Sequence, residues 1–329
     1  MRIHSHSPGK LILSGEHAVV HGCPALAMAV SAGVDGIRED LDVPLLRIQL
    51  PDRTSIDFPL SALAELLEEM RRRHHQFMKG QLAVSEVVES PEHLLAATAA
   101  LAEPVSGAQL QFNSQLPPGS GLGSSAAYML ALLKALRPRW DQARLFENAV
   151  RAESFQHGTS SGLDVAASLY GGLIHFHDAR FDPLSETAAM PPFRVYNSGR
   201  PLSSTGECVS AVSNRFPSSD TIWSDFREVT GNTLACLQAN DADGWRTCIR
   251  ANHRLLCRIG VVPPAVQDHI SALEQAGFAA KICGAGSLRG DAAGMILVCG
   301  GLLPPVPDKW TEMHLSLSEQ GTTLVEDQE

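Results

Sequence analysis

Long apolar runs are missing from this chain of 329 residues. None approaches the roughly 20 residues that cross a bilayer. The opening MRIHSHSPGK lacks the apolar core of an export signal and leads straight into a strand-like segment. These absences argue against a membrane or secreted class, and a cytoplasmic protein with nothing removed from its start is expected. Paired cysteines are missing too. Cys23, Cys208, Cys236, Cys248, Cys257, Cys283 and Cys299 are odd in number, scattered and without a CxxC pair. Neither a disulfide framework nor a cysteine zinc site is expected from them; they read as small buried hydrophobes in a reducing compartment. Positive charge is in deficit, with 26 Lys and Arg against 36 Asp and Glu and a net charge of −10. That excludes the basic surface that non-specific nucleic-acid or anionic-membrane binding requires, so a phosphate site must be local. Internal repeats and low-complexity tracts are absent as well.

What is present is a loop built for phosphate. PPGSGLGSSAA at 117–127 places an apolar lead-in, small turn residues and two adjacent serines ahead of an apolar helix. Gly119, Gly121 and Gly123 permit positive φ and close backbone approach, so that successive N–H groups can face one anion. The following helix adds its positive N-terminal end. Ser124 and Ser125 stand where hydroxyls either cap that helix or ligate a cation bridging phosphates.

The length suggests two domains. Residues 11–30 read as a hairpin with Glu16 and His17 at its tip, and 45–50 with 54–60 as a second strand pair across Pro51, Asp52 and Arg53. A helix is predicted over 61–80, with Ser61 as N-cap and a solvated basic end that includes His74 and His75, whose adjacent positions make a poor metal pair. Helices over 92–101, 124–136 and 141–155 follow, with a strand at 108–114 feeding the glycine loop and another in LIHF after Gly171 and Gly172. The helix at 124–136, apolar on most faces, is expected between layers. The polar, proline-containing stretch 177–192 is the predicted domain boundary. Beyond it come a strand at 194–196, a helix-rich region to 275 and a second glycine-rich turn between two apolar strands within 281–300. Runs of helices in the second half point to an α+β class.

In order, PGKLILSGEHAVVHG, PPGSGLGSSAA, HGTSSGLDVAASLYGG and KICGAGSLRGDAAG resemble the motifs of the GHMP kinases over nearly the whole chain. Within that superfamily, GEHAVVHG, HGTSSGLD and ANHRLLCRIGV at 251–261 are most similar to the mevalonate kinases. The resemblance implies a two-domain α+β fold, 1–180 with the phosphate loop and catalytic Lys and Asp, and 190–329 as the C-terminal domain, with the active site in the cleft between them. It implies ATP and mevalonate as substrates, Mg²⁺ as cofactor, no nucleic-acid or membrane partner, room for a homodimer, and an early step of isoprenoid synthesis. Pro118, Gly119, Ser120, Gly121, Leu122, Gly123, Ser124 and Ser125 would cradle the ATP phosphates. Ser125 and Glu153 would hold Mg²⁺, Asp164 would be the general base, and Lys10 would stabilise the alkoxide and the moving phosphoryl group.

Glu16, His17, Thr205 and the third loop, Gly284, Ala285 and Gly286, would border the acceptor. Each residue also has a plainer reading: Asp164 and Thr205 as helix N-caps, Lys10 as a surface lysine, Glu16 and His17 as turn residues. Asn252 reads as structural. The third loop departs from the family's GAGGGG run by carrying Ser287, Leu288 and Arg289. Either the loop simply repacks or Arg289 reaches an anionic group on ATP or acceptor. Ser160, standing where proline is common, is expected to matter little. Two alternatives remain: a phosphomevalonate kinase using Arg289 and Arg200 as extra basic groups, and a silent ATP and metabolite sensor. The presence of Lys10, Ser125, Glu153 and Asp164 weighs against the sensor.

Overall fold

In the computed structural model, which describes residues 2–51, 55–102, 106–178, 180–184, 190–301 and 304–325, two long antiparallel strands begin the chain. These are β1 (Arg2–Ser14) and β2 (Ala25–Asp40), joined through a 3-10 turn at Ala18–His21. There follow β3 (Leu45–Gln49), β4 (Ile56–Pro59), α1 (Leu63–Met78), α2 (Pro91–Leu101), β5 (Ala108–Ser114), α3 (Ser124–Leu136), α4 (Gln142–His157), α5 (Leu163–Tyr170), β6 (Leu173–His177) and β7 (Arg180–Pro183). The second half holds β8 (Phe193–Asn197), α6 (Thr205–Arg215), α7 (Ile222–Gln238), α8 (Ala242–Arg258), α9 (Pro264–Gln275), β9 (Ala279–Cys283), β10 (Met295–Cys299), β11 (Thr311–Met313) and β12 (Thr323–Val325). Asp52 and Arg53 of the predicted turn, and residues 179 and 185–189 of the predicted boundary, lie outside the described residues.

An eight-stranded sheet runs β12-β1-β2-β5-β3-β4, with β6 on β2 and β7 on β6. β2 is long enough to serve two neighbours: residues 25–28 pair with β6 and residues 34–40 with β5. The second sheet, β11-β8-β10-β9, is wholly antiparallel. Apart from β12, the strands of the first sheet come from residues 2–183 and those of the second from 193–313; β12 crosses back to pair with β1. β7, inside the predicted polar boundary, is a strand of the first sheet.

α3 packs against both β1 and β2 and buries residues on every face, from Ala126 through Met129, Leu130 and Leu133 to Leu136. That is why its sequence shows no polar stripe. Alternation on β9 and β10 divides two apolar clusters. Ala279, Cys283, Met295 and Leu297 join the core of the first sheet, while Ala280, Ile282, Ile296 and Val298 join side chains of α7, α8 and α9. α4 begins at its Asp141 cap and α2 at its Ser90 cap, with Pro91 in the first turn where its missing N–H costs nothing. The expected Ser61 cap is not formed. Leu60 N donates to Pro44 O, a 3-10 turn occupies Leu60–Ala62, and α1 starts after it without a side-chain cap. Among the described residues no helix is long and apolar enough to cross a membrane.

Candidate active site

The glycine loop between β5 and α3 bends around a lysine. Lys10, on β1, is 2% exposed. Its N–H donates to Leu122 O at 2.9 Å, and its Nζ donates to Gly121 O at 3.0 Å while lying 3.1 Å from Asp164 Oδ1. The surface-lysine reading therefore fails. A Cβ at Gly123, whose φ is +68°, would meet Lys10 Cγ at 2.8 Å, so the lysine and the glycine require each other. Gly123 occupies the N-cap position of α3, and neither Ser124 nor Ser125 caps that helix. Ser125 Oγ instead bonds Gln156 Oε1. Asp164 is not a cap either: Gly162 holds that position of α5, and the carboxylate stands in the first turn, at the positive end of the helix.

Glu153 projects from α4 and is buried, with Ser160 donating its hydroxyl to Oε2. Ser160, which stands where proline is common, is thus bonded to the expected metal carboxylate. Burial, and then the charge of Asp164, push Glu153 up to about 8, against the opposing pull of Ser160 and Lys10. Once Glu153 is ionised, two carboxylates face the single ammonium of Lys10, a deficit that a bound cation would fill. Glu153 and the Ser125 hydroxyl are hard oxygen donors, so the residues present fit a divalent cation of the Mg²⁺ type.

On the acceptor side the hairpin tip holds two residues with different tasks. His17 sits at φ +59°, bonds Ala285 O through Nε2 at 3.0 Å, and has Nδ1 buried without a protein partner. Burial lowers its pKa, so the ring is neutral near pH 7; with Nε2–H donating, Nδ1 is left as an acceptor. Glu16, expected to border the acceptor, is committed elsewhere. Lys281 of β9, fully buried, donates to Glu16 Oε1 and to Ile282 O at 2.8 Å, and Asn252 Nδ2 donates to Glu16 Oε2 at 3.1 Å. Burial alone would push the Lys281 ammonium down, but its neighbours more than offset that and leave it raised. Cys283 beside it stays a thiol, pushed by burial to about 11, so Glu16 is the charge that holds Lys281 protonated. Asn252 is structural, as expected.

A cleft of about 1150 Å³ joins these parts. Lys10, Glu16, His17, Ser125, Glu153, Asp164, Thr205 and the third loop at Gly284, Ala285 and Gly286 all line it, as do Pro118, Gly119, Ser120, Gly121, Gly123 and Ser124. Leu122 does not: its side chain is 1% exposed in the core, and only its carbonyl serves the site, by holding β1. Thr205 lies in the first turn of α6, whose cap is Ser204. Arg289 is not among the lining residues: it bonds Glu207 Oε1 at 3.2 Å and Leu202 O at 3.3 Å, both residues of the cleft wall. Arg200 does line the cleft. Gln156 and Lys281 escaped the sequence reading. Gln156 stands three residues beyond Glu153 on the same helix face, and Lys281 interrupts the apolar strand FAAKIC, which is the mark of a buried charge with a partner.

Residues 87–172 match the family profile described as GHMP kinases N terminal domain, and residues 233–288 match GHMP kinases C terminal. The mevalonate kinase of Archaeoglobus fulgidus is 31% identical over 289 residues, covering 85% of this chain and 88% of that one. Among solved structures, the mevalonate kinase of Methanococcus jannaschii superposes with a TM-score of 0.71 at 20% identity, over 90% of this chain and 89% of that one. Lactococcus lactis galactokinase reaches 0.74 at 15% identity, over 98% and 95%. Folds this similar across different acceptors speak for the architecture alone, whereas the sequence match to the archaeal relative, sustained across most of both chains, carries kinship. The chain belongs to the GHMP kinases, among their mevalonate kinases.

Proposed function

We propose that the protein transfers the γ-phosphoryl group of ATP to the 5-hydroxyl of mevalonate, giving 5-phosphomevalonate. The observation that carries this reading is the Lys10 and Asp164 pair, 3.1 Å apart, set between the glycine loop and the hairpin tip. Backbone N–H groups of residues 119–125 and the first turn of α3 bind and orient the phosphates. Glu153 and Ser125 hold Mg²⁺, which supplies charge compensation at the phosphate oxygens when bound. Asp164 accepts the proton of the acceptor hydroxyl, and Lys10 stabilises the oxygen that is left and the group in transit. His17, held to the third loop through Ala285 O, borders the acceptor. Glu16 acts through Lys281 and Asn252 by fixing the tip against the third loop.

Seven free cysteines support a reducing compartment and hence the cytoplasm. One observation favours a second reading: Arg200 in the cleft could meet an acceptor that already bears phosphate, as in a phosphomevalonate kinase. Against it, Arg289, the other basic group that reading needs, is bound to Glu207. The test is Mg²⁺-dependent ADP release with mevalonate, phosphomevalonate, galactose and homoserine offered separately. Turnover on mevalonate is expected. Turnover on phosphomevalonate alone moves the activity to the second reading, and silence with all four despite ATP binding returns the sensor.

A further inference from the structure

The outer face of β6 and β7 carries a cluster of donors that phosphoryl transfer does not use. On β6, Ile174 and Phe176 join the apolar cluster around Leu163, Ala166 and Ala167 of α5, so His175 and His177 share the opposite face. The antiparallel register sets Asp182 of β7 directly across from His175. The two imidazole rings lie 5.0 Å apart, centre to centre, and His177 Nε2 stands 3.2 Å from Asp182 Oδ2. One ligand atom from each of His175, His177 and Asp182 lies within 4.8 Å of the others, and no second group of three such residues occurs among the described residues. We propose that these three side chains form a Zn²⁺ site, its fourth position filled by water, that clips β6 to β7.

The donor set selects the ion. Two imidazoles and one carboxylate suit a borderline divalent cation such as Zn²⁺, whereas Mg²⁺ takes oxygen ligands. Tetrahedral Zn²⁺ with bonds of about 2.1 Å keeps its ligand atoms roughly 3.4 Å apart. His177 and Asp182 already have nearly that spacing, and His175, half-buried on the same strand face, closes the set by a side-chain rotation. Asp178 Oδ2, 3.8 Å from His177 Nδ1, adds a second carboxylate beside the cluster. A clip here braces the strand whose inner face supports α5, the carrier of Asp164, and none of the three ligands lines the cleft.

The test is a Zn²⁺ titration of the full chain in excess Mg²⁺, read by competition with a chromophoric chelator and by metal analysis after dialysis. One Zn²⁺ per chain is expected, with a raised melting temperature. His177→Gln and Asp182→Asn are each expected to weaken binding by roughly tenfold or more, since even the partners of metal ligands carry effects of that size. Both variants should keep the turnover of the unmodified chain. Co²⁺ in place of Zn²⁺ should give visible ligand-field bands without thiolate charge transfer. Absence of bound Zn²⁺ after dialysis, binding in both variants as tight as in the unmodified chain, or a thiolate band from one of the cysteines would overturn the assignment.

Discussion

Lys281 brings a charge into the interior and finds its counter-charge 265 residues earlier in the chain, on Glu16. Breaking a buried pair leaves an uncompensated ion, which costs about 3–5 kcal/mol. Lys281→Met is therefore expected to lower the urea midpoint by a corresponding amount, and adding Glu16→Gln should restore part of the loss. An unchanged midpoint in the single variant contradicts the pairing. Glu153 makes a second prediction at this scale. Its carboxyl, pushed up to about 8, must lose its proton before it can ligate a cation, so apparent Mg²⁺ affinity should weaken as pH falls below about 8. Glu153→Gln should abolish that pH dependence and raise the Mg²⁺ requirement at every pH; a flat profile in the unmodified chain counts against the ligand role. Most residues that line the cleft were legible as candidates because each sat in a dense local motif. Glu16 shows the limit of such reading: a motif marks a residue as placed near the site but does not say what its side chain grips, because Lys281 and Asn252 meet it only through the fold.

The two glycine loops meet as elements. Gly121, at φ +92°, lets the first loop approach β9 so closely that an added Cβ would stand 2.6 Å from Cys283 O. On the other side of the loop, Met295 N donates to Ser120 O at 3.0 Å. The phosphate loop is thus clasped by β9 and β10, and cleft shape depends on that clasp. Gly121→Ala is expected to raise the KM for ATP and lower the melting temperature together, because both the clasp and the positive φ are lost. A variant with unchanged KM for ATP would show that the contact is incidental to nucleotide binding. Unlike β7 and β11, the longer strands, the long buried helix and both loops could be read from apolar patterning and glycine spacing. Their meeting could not, since a contact between residues 121 and 283 leaves no local period in the chain. Nor could the return of β12 to β1, because a three-residue strand at the edge of a sheet carries too little pattern to announce itself.

At the scale of the whole molecule, buried titratable groups confine stability from both sides. His253, lowered by burial to about 4, is neutral in the fold, while an unfolded histidine protonates near 6.5. The unfolded chain then binds more protons, and stability falls as pH drops from about 6.5 towards 4. Glu153 acts in the opposite sense: its raised value means that the fold holds a proton the unfolded chain has released, so stability falls as pH rises from about 4.5 towards 8. The metal-free protein should therefore melt highest between these flanks, and Mg²⁺ with ATP should lift the alkaline side more than the acid side, as melting curves across pH will show. An alkaline side indifferent to Mg²⁺ and ATP would separate Glu153 from the metal. The central claim, that the Lys10 and Asp164 pair in the cleft between the two sheets performs phosphoryl transfer, is tested most directly by rapid-quench single turnover of Asp164→Asn with Mg²⁺, ATP and mevalonate. ATP affinity should stay near that of the unmodified chain while the transfer rate falls by about a thousandfold or more, since proton acceptance and positioning are lost together; transfer at the unmodified rate would contradict the claim.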